Sequence, residues 1–101
     1  MNPVWVGMFN VTGPRELAIL DGDAGAWLWM AAQAKDAANF VARASHAMNG
    51  LGLCVVEHED IECVEDENQL SESVSELIPE ARSNAESVVC GTWHKYKAQD
   101  A

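Results

Sequence analysis

Positive charge is scarce in this sequence: six lysines and arginines stand against sixteen acids, for a net charge of −10. A field of that sign repels phosphate backbones and anionic lipid, which argues against direct binding to nucleic acid or to a membrane surface. Long apolar runs are missing too. The stretch from Ala24 to Ala32 is among the longest, well short of the roughly 20 residues that cross a bilayer as a helix. The opening Met-Asn-Pro-Val-Trp has no basic region and no cleavage site, so a cytoplasmic location is expected. Three cysteines, Cys54, Cys63 and Cys90, are an odd number at wide spacing. That is unlike a secreted disulfide scaffold, and reduced thiols are expected. There is no His-Glu-x-x-His, no Cys-x-x-Cys, no aspartate-rich twelve-residue calcium loop and no glycine-rich phosphate loop, so no residue is assigned to a metal, a cofactor or catalysis.

What is present is an ordinary globular composition. Of 101 residues (11.0 kDa), 49% are apolar and 22% charged, enough to bury one core and too short for two, so residues 1–101 are expected to form a single domain. Val4 to Val11 is rich in β-branched and aromatic residues and ends at the turn signal Thr12-Gly13-Pro14, which predicts a strand. Arg15 to Leu20 suits a helical turn or a strand, and Asp21-Gly22 suits a tight turn. Ala26 to Gln33 predicts a second strand, with Trp27 and Trp29 on one face and Leu28 and Met30 on the other.

Asp36 is placed to cap a helix whose apolar positions Ala37, Phe40, Val41, Ala44 and Met48 recur at helical spacing. Asn49-Gly50 predicts its left-handed stop, with Leu51 folding back on the last turn. Leu53 to Glu57 then reads as a strand, closing a β-α-β unit over 26–57 whose strands run parallel. Ile61, Cys63 and Val64 extend that strand past a bulge or begin a neighbouring one. Glu67 to Ile78 puts Leu70, Val74, Leu77 and Ile78 on one helical face, and Pro79 either ends this helix or opens another turn. Ser87 to Tyr96 alternates as a closing strand. The order predicts an α+β fold: a ferredoxin-like sandwich with a four- to five-stranded mixed sheet and two helices on one face.

The charge is unevenly placed. Eleven acids and a single arginine, Arg82, fall between Glu57 and Glu86, which carries −10, while the rest of the chain has five acids and five bases and is neutral. The plain reading is a solvated face that keeps a small protein soluble. The sharper reading is a docking surface for a basic protein. Candidate chemistry elsewhere is weaker. His58, Glu59, Asp60, Glu62 and Cys63 are all metal-ligating types within six residues, and in an extended strand His58, Asp60 and Glu62 would share a face, as polar residues on an edge strand also do. Cys90 and His94 fall on one side of the last predicted strand, but roughly 13 Å apart by strand rise, too far for proton transfer. Cys90 is better read as a core thiol. Trp5, Trp27, Trp29 and Trp93 all lie in predicted strands; core packing against the helices accounts for most of them, while any that stand on a sheet face the helices leave bare would anchor a protein partner.

The acidic run from Glu57-His58-Glu59-Asp60-Ile61-Glu62 to Glu86, together with the closing Gly91-Thr92-Trp93-His94-Lys95-Tyr96, is similar in character to bacterial immunity proteins that neutralise polymorphic or contact-dependent toxins. That resemblance implies a one-to-one complex with a basic toxin domain. The candidate partner-binding residues are Glu57, Glu59, Asp60, Glu62, Glu65, Asp66, Glu72, Glu76 and Trp93. The rival readings are a nucleic-acid mimic that occupies a DNA- or RNA-binding protein, and a small metal-dependent enzyme or regulator using His58 and Cys63. A homo-oligomer paired through exposed tryptophans stays open beside them.

Overall fold

A computed structural model describes residues 2–14, 16–65 and 70–97. Two nine-residue strands, β1 (Val4–Thr12) and β2 (Gly25–Gln33), form its spine. They pair antiparallel along their whole length, Val4 opposite Gln33 through Thr12 opposite Gly25. The intervening loop closes with Asp21 and Gly22 both at positive φ and the Asp23 amide bonded to the Leu20 carbonyl, as two left-handed central residues of a tight turn require. Leu20 of that loop is fully buried.

From β2 the chain enters α1 (Ala37–Gly50), opened by Asp36, whose side chain accepts from the Asn39 amide at 2.7 Å. It then crosses to β3 (Cys54–Cys63). β3 pairs antiparallel with the far side of β1, so β2 and β3 run parallel, as expected, with β1 between them. Two short helices follow, α2 (Glu72–Ser75) and α3 (Ile78–Ser83). The chain ends in β4 (Val89–Cys90) and β5 (His94–Tyr96), which pair in succession with the free edge of β2. The strand order is β3-β1-β2-β4, with β5 continuing the β4 edge.

Alternation along β1 and β2 divides the core in two. Phe9, Val11, Leu28, Met30 and Ala32 face Phe40, Ala44 and Met48 of α1. Val4, Val6 and Ala31 face Val74 of α2 and Ile78 and Ala81 of α3. The helices therefore lie on opposite faces of the sheet. The fold is α+β as expected, but it departs from the predicted sandwich in two ways: neighbouring strands are antiparallel throughout rather than mixed, and the helices do not share a face. The cause is that β2 is apolar on both sides, with Leu28, Met30, Ala31 and Ala32 fully buried, so each side needs its own cover.

Three local expectations shift as well. α1 stops two residues later than Asn49-Gly50 suggests. Gly52 takes the left-handed conformation (φ +85°), and the Gly52 and Leu53 amides bond back to the Asn49 and Met48 carbonyls, the paired closure of a Schellman motif. The leucine that folds back is Leu53, 1% exposed, while Leu51 is 44% exposed. The helix predicted over 67–78 begins partly outside the described residues, and its described part is divided. A proline ring at 79 would collide with the carbonyl four residues back in a continuous helix, so the chain breaks after Ser75 and Pro79 sits in the first turn of α3. The closing strand is interrupted at Gly91–Trp93. Three residues there stand opposite two of β2, Leu28 and Trp29. The extra residue reverses the alternation, so Cys90 pairs with Met30 on the α1 side whereas His94 pairs with Trp27 on the other, and the two do not share a side.

Candidate functional site: the half-covered acidic sheet face

β3 carries the densest part of the acidic run, and its side chains are sorted by two bulges. Between the pairs Val11–Val55 and Asn10–Glu57 the extra residue is Val56, and between Met8–Glu59 and Val6–Glu62 the single residue Gly7 stands opposite both Asp60 and Ile61. Each bulge resets the alternation by one residue. As a result Glu57, Glu59 and Glu62 all project on the face away from α1, while Val55, His58, Ile61 and Cys63 turn toward it. His58 confirms this, its ring 6.1 Å from that of Phe9. Regular alternation would have put His58, Asp60 and Glu62 together; the second bulge places His58 and Glu62 on opposite faces. Among the described residues no three His, Cys, Asp or Glu side chains gather as a metal site.

The bulges follow from local chemistry. Asp60 adopts φ +55°, a left-handed conformation that aspartate tolerates better than most residues. Ile61 then folds over Gly7, where any Cβ would overlap Ile61 Cδ1 and crowd Phe40 and Phe9. Glycine at position 7 is thus the seat that lets Ile61 reach the core and turns Glu62 outward.

On this second face, α2 and α3 cover the end built from Val4, Val6, Ala31 and Val89, with Trp29 packed at its margin. No described helix covers the other end. Its rows run across the sheet as Glu57–Asn10–Trp27–His94 and Glu59–Met8–Trp29. Trp27, Trp29 and Met8 are half-buried, and Glu57, Glu59 and His94 are exposed. Tyr96 crosses the vacant side of Gly25 and donates to Asn10 Oδ1 at 2.5 Å; Asn10 Nδ2 in turn donates to Glu57 Oε1 at 3.4 Å. This chain of side chains spans four strands and fixes one glutamate of the row.

The candidate residues fall as follows. Glu57 and Glu59 share the open end with Trp27 and Trp29, and Glu62, opposite Val6, projects on the same face at the margin of the covered end. Asp60 stands at the bulge beside them, and Glu65 is exposed just past β3. Glu72 and Glu76 are exposed on α2 and its C-cap, on the same side of the sheet. Asp66 lies outside the described residues. Trp93 packs against the α1-side core, as does Trp5, whose indole nitrogen donates to the Ala34 carbonyl at 3.0 Å. The aromatic pair next to the carboxylates is Trp27 and Trp29. Their shared face is legible in the alternation of β2, but their place beside the glutamates depends on the bulges.

α1, on the opposite face, contains Arg43 and His46 and no acid. The Arg43 guanidinium donates to the Gln33 carbonyl. Acids are not absent from this side, since Asp36 caps α1 and Glu86 lies beside Arg43 and His46, but the glutamates of β3 and α2 project on the other. Cys90 is packed against the α1-side core, and burial pushes its thiol above the ordinary range, the opposite of what a nucleophile needs. Among the described residues no helix is long and apolar enough to cross a membrane. No protein family, characterised protein or solved structure matches the chain.

Proposed function

We propose that this protein binds and neutralises a cationic protein partner, a toxin domain in the manner of an immunity protein, through the open half of its second sheet face. The observation that carries the reading is the juxtaposition of three bulge-sorted glutamates, Glu57, Glu59 and Glu62, with half-buried Trp27 and Trp29 on one surface. Aromatic anchors surrounded by charge of one sign suit a protein interface: the tryptophans supply desolvated contact area, and the carboxylates steer association. In this reading the protein is not an enzyme, carries no cofactor and acts in the cytoplasm, with Cys54, Cys63 and Cys90 as free thiols.

The test is affinity capture from the native host, followed by association kinetics with the purified partner across ionic strength. Replacing Glu57, Glu59 and Glu62 together by glutamine should slow association and flatten its salt dependence, because long-range attraction is screened within about 10 Å at 0.1 M salt. Trp27→Ala should act mainly on dissociation. Association that ignores both salt and the triple replacement would sink the reading. Competition by nucleic acid for the captured partner would redirect it to a mimic of nucleic acid.

A further inference from the structure

Beside the open face, where α2 meets the sheet, lies a pocket of about 250 Å³. Val6 and Trp29 contribute to its sheet side, Leu70 and Val74 close it from the α2 side, and Asp60 and Glu62 stand on the β3 side. Val6 and Val74 are buried and Leu70 is half-buried, whereas both acids are exposed. No lysine or arginine is among the described lining residues, so none of these offsets either carboxylate. A slot with aliphatic side chains and an indole on one part of its wall, and two carboxylates and Ser71 on the rest, is complementary to a side chain with an apolar stem and a cationic head. A guanidinium fits better than an ammonium, since it stacks on an indole and offers a fork of donors to carboxylate oxygens.

We propose that this pocket receives an arginine side chain of the protein partner, its methylenes against Val6, Leu70 and Val74, its guanidinium between Trp29 and the carboxylates of Asp60 and Glu62. The inference rests on the reading of the protein as a binder of cationic proteins and names the contact that reading lacks. The Asp60 bulge is what assembles the pocket. Without it Glu62 would turn toward α1, and the slot would lose one of its two charges.

The experiment titrates the intact protein with N-acetyl-arginine amide, with the neutral isostere N-acetyl-citrulline amide as control, following backbone amides and the Trp29 indole by NMR, the indole assigned through Trp29→Phe. Saturating shifts at Trp29 and residues 60–62, absent with citrulline, are the expected result. Asp60→Asn, which keeps a residue tolerant of positive φ, and Glu62→Gln should each weaken binding by up to about five-fold, the limit for exposed charge pairs. The N-acetyl-lysine amide should bind more weakly than the arginine probe. Equal shifts with citrulline would overturn the proposal. So would a uniform, salt-screened drift of all acidic amides with Trp29 unmoved; in that case the cationic-partner reading would survive, because it is tested separately by the salt dependence of partner association.

Discussion

Two glycines near the end of α1 should respond to alanine in opposite directions. Gly50 is the last residue of the helix, it has no positive φ, and a Cβ there would meet nothing within 4 Å. Alanine should relieve the entropic cost of glycine in a helix, worth about 0.5–1 kcal/mol. Gly52 holds φ +85°, and its only close neighbours would be the Leu17 methyls at 3.4 Å, an ordinary contact. The whole cost of Gly52→Ala is then conformational, about 1–2 kcal/mol for a left-handed residue bearing a Cβ. The variants should lie about 1.5–3 kcal/mol apart, which for a domain of this size means at least about 6 °C in Tm. Thermal and urea unfolding with common baselines measure it, and Gly52→Asn should fall between wild type and Gly52→Ala because asparagine tolerates the conformation. If Gly50→Ala destabilises while Gly52→Ala is neutral, the left-handed stop lies at Gly50, and Leu51 rather than Leu53 must be the residue folded onto the core.

Other expectations concern the packing that holds the face in place. Gln33 is 4% exposed and donates from Nε2 to the Ala81 and Arg82 carbonyls at 3.0 and 3.1 Å, satisfying the last turn of α3. Gln33→Leu should cost about 1–3 kcal/mol and loosen α3, seen as faster amide exchange there. Gly7→Ala must displace Ile61, and overpacking of this kind costs about 1–3 kcal/mol; unchanged stability would show that the second bulge yields without resistance. Cys90 should react with a thiol reagent far more slowly than exposed Cys54. The stability that comes from keeping the Cys90 thiol neutral is complete below its ordinary pKa and is lost as pH rises through the raised folded-state value. The alkaline fall in the urea midpoint should accordingly be shallower in Cys90→Val.

Much of the local structure was legible in the sequence because its causes are local. Asp36 caps α1 as its position suggested, the alternation of β2 separates Trp27 and Trp29 from Leu28 and Met30, and Pro79 opens a new turn. What was not legible depends on residues distant in sequence. The bulge at Asp60 exists because Gly7, more than fifty residues earlier, leaves room for Ile61, and nothing in 57–63 alone fixes which glutamates face which way. The choice between Gly50 and Gly52 as helix stop turns on which leucine reaches the core. The acidic segment was visible as a run of charge, but its division between an edge strand and two helices on the same side of the sheet required the topology. Trp93 looked like an anchor because it belongs to a closing strand; the extra residue at Gly91–Trp93 upsets that alternation.

The two edges of the sheet also differ in what they guard. β3, long and exposed, is kinked twice and charged, so a second copy would meet carboxylate against carboxylate and a broken ladder, two devices that deter strand addition. The opposite edge relies on cover. β2, from Gly25 to Gln33, contains no charged residue, and its free side is shielded by β4 and β5 through two and three residue pairs respectively. An uncharged, aromatic nine-residue strand is the kind of segment that nucleates cross-β stacking once unpaired. The Tyr96 side chain, fastened over Gly25 to Asn10, helps to hold β5 on that edge. Clipping the chain ahead of β5 should bring turbidity and dye-binding fibrils well before the rest of the fold is lost.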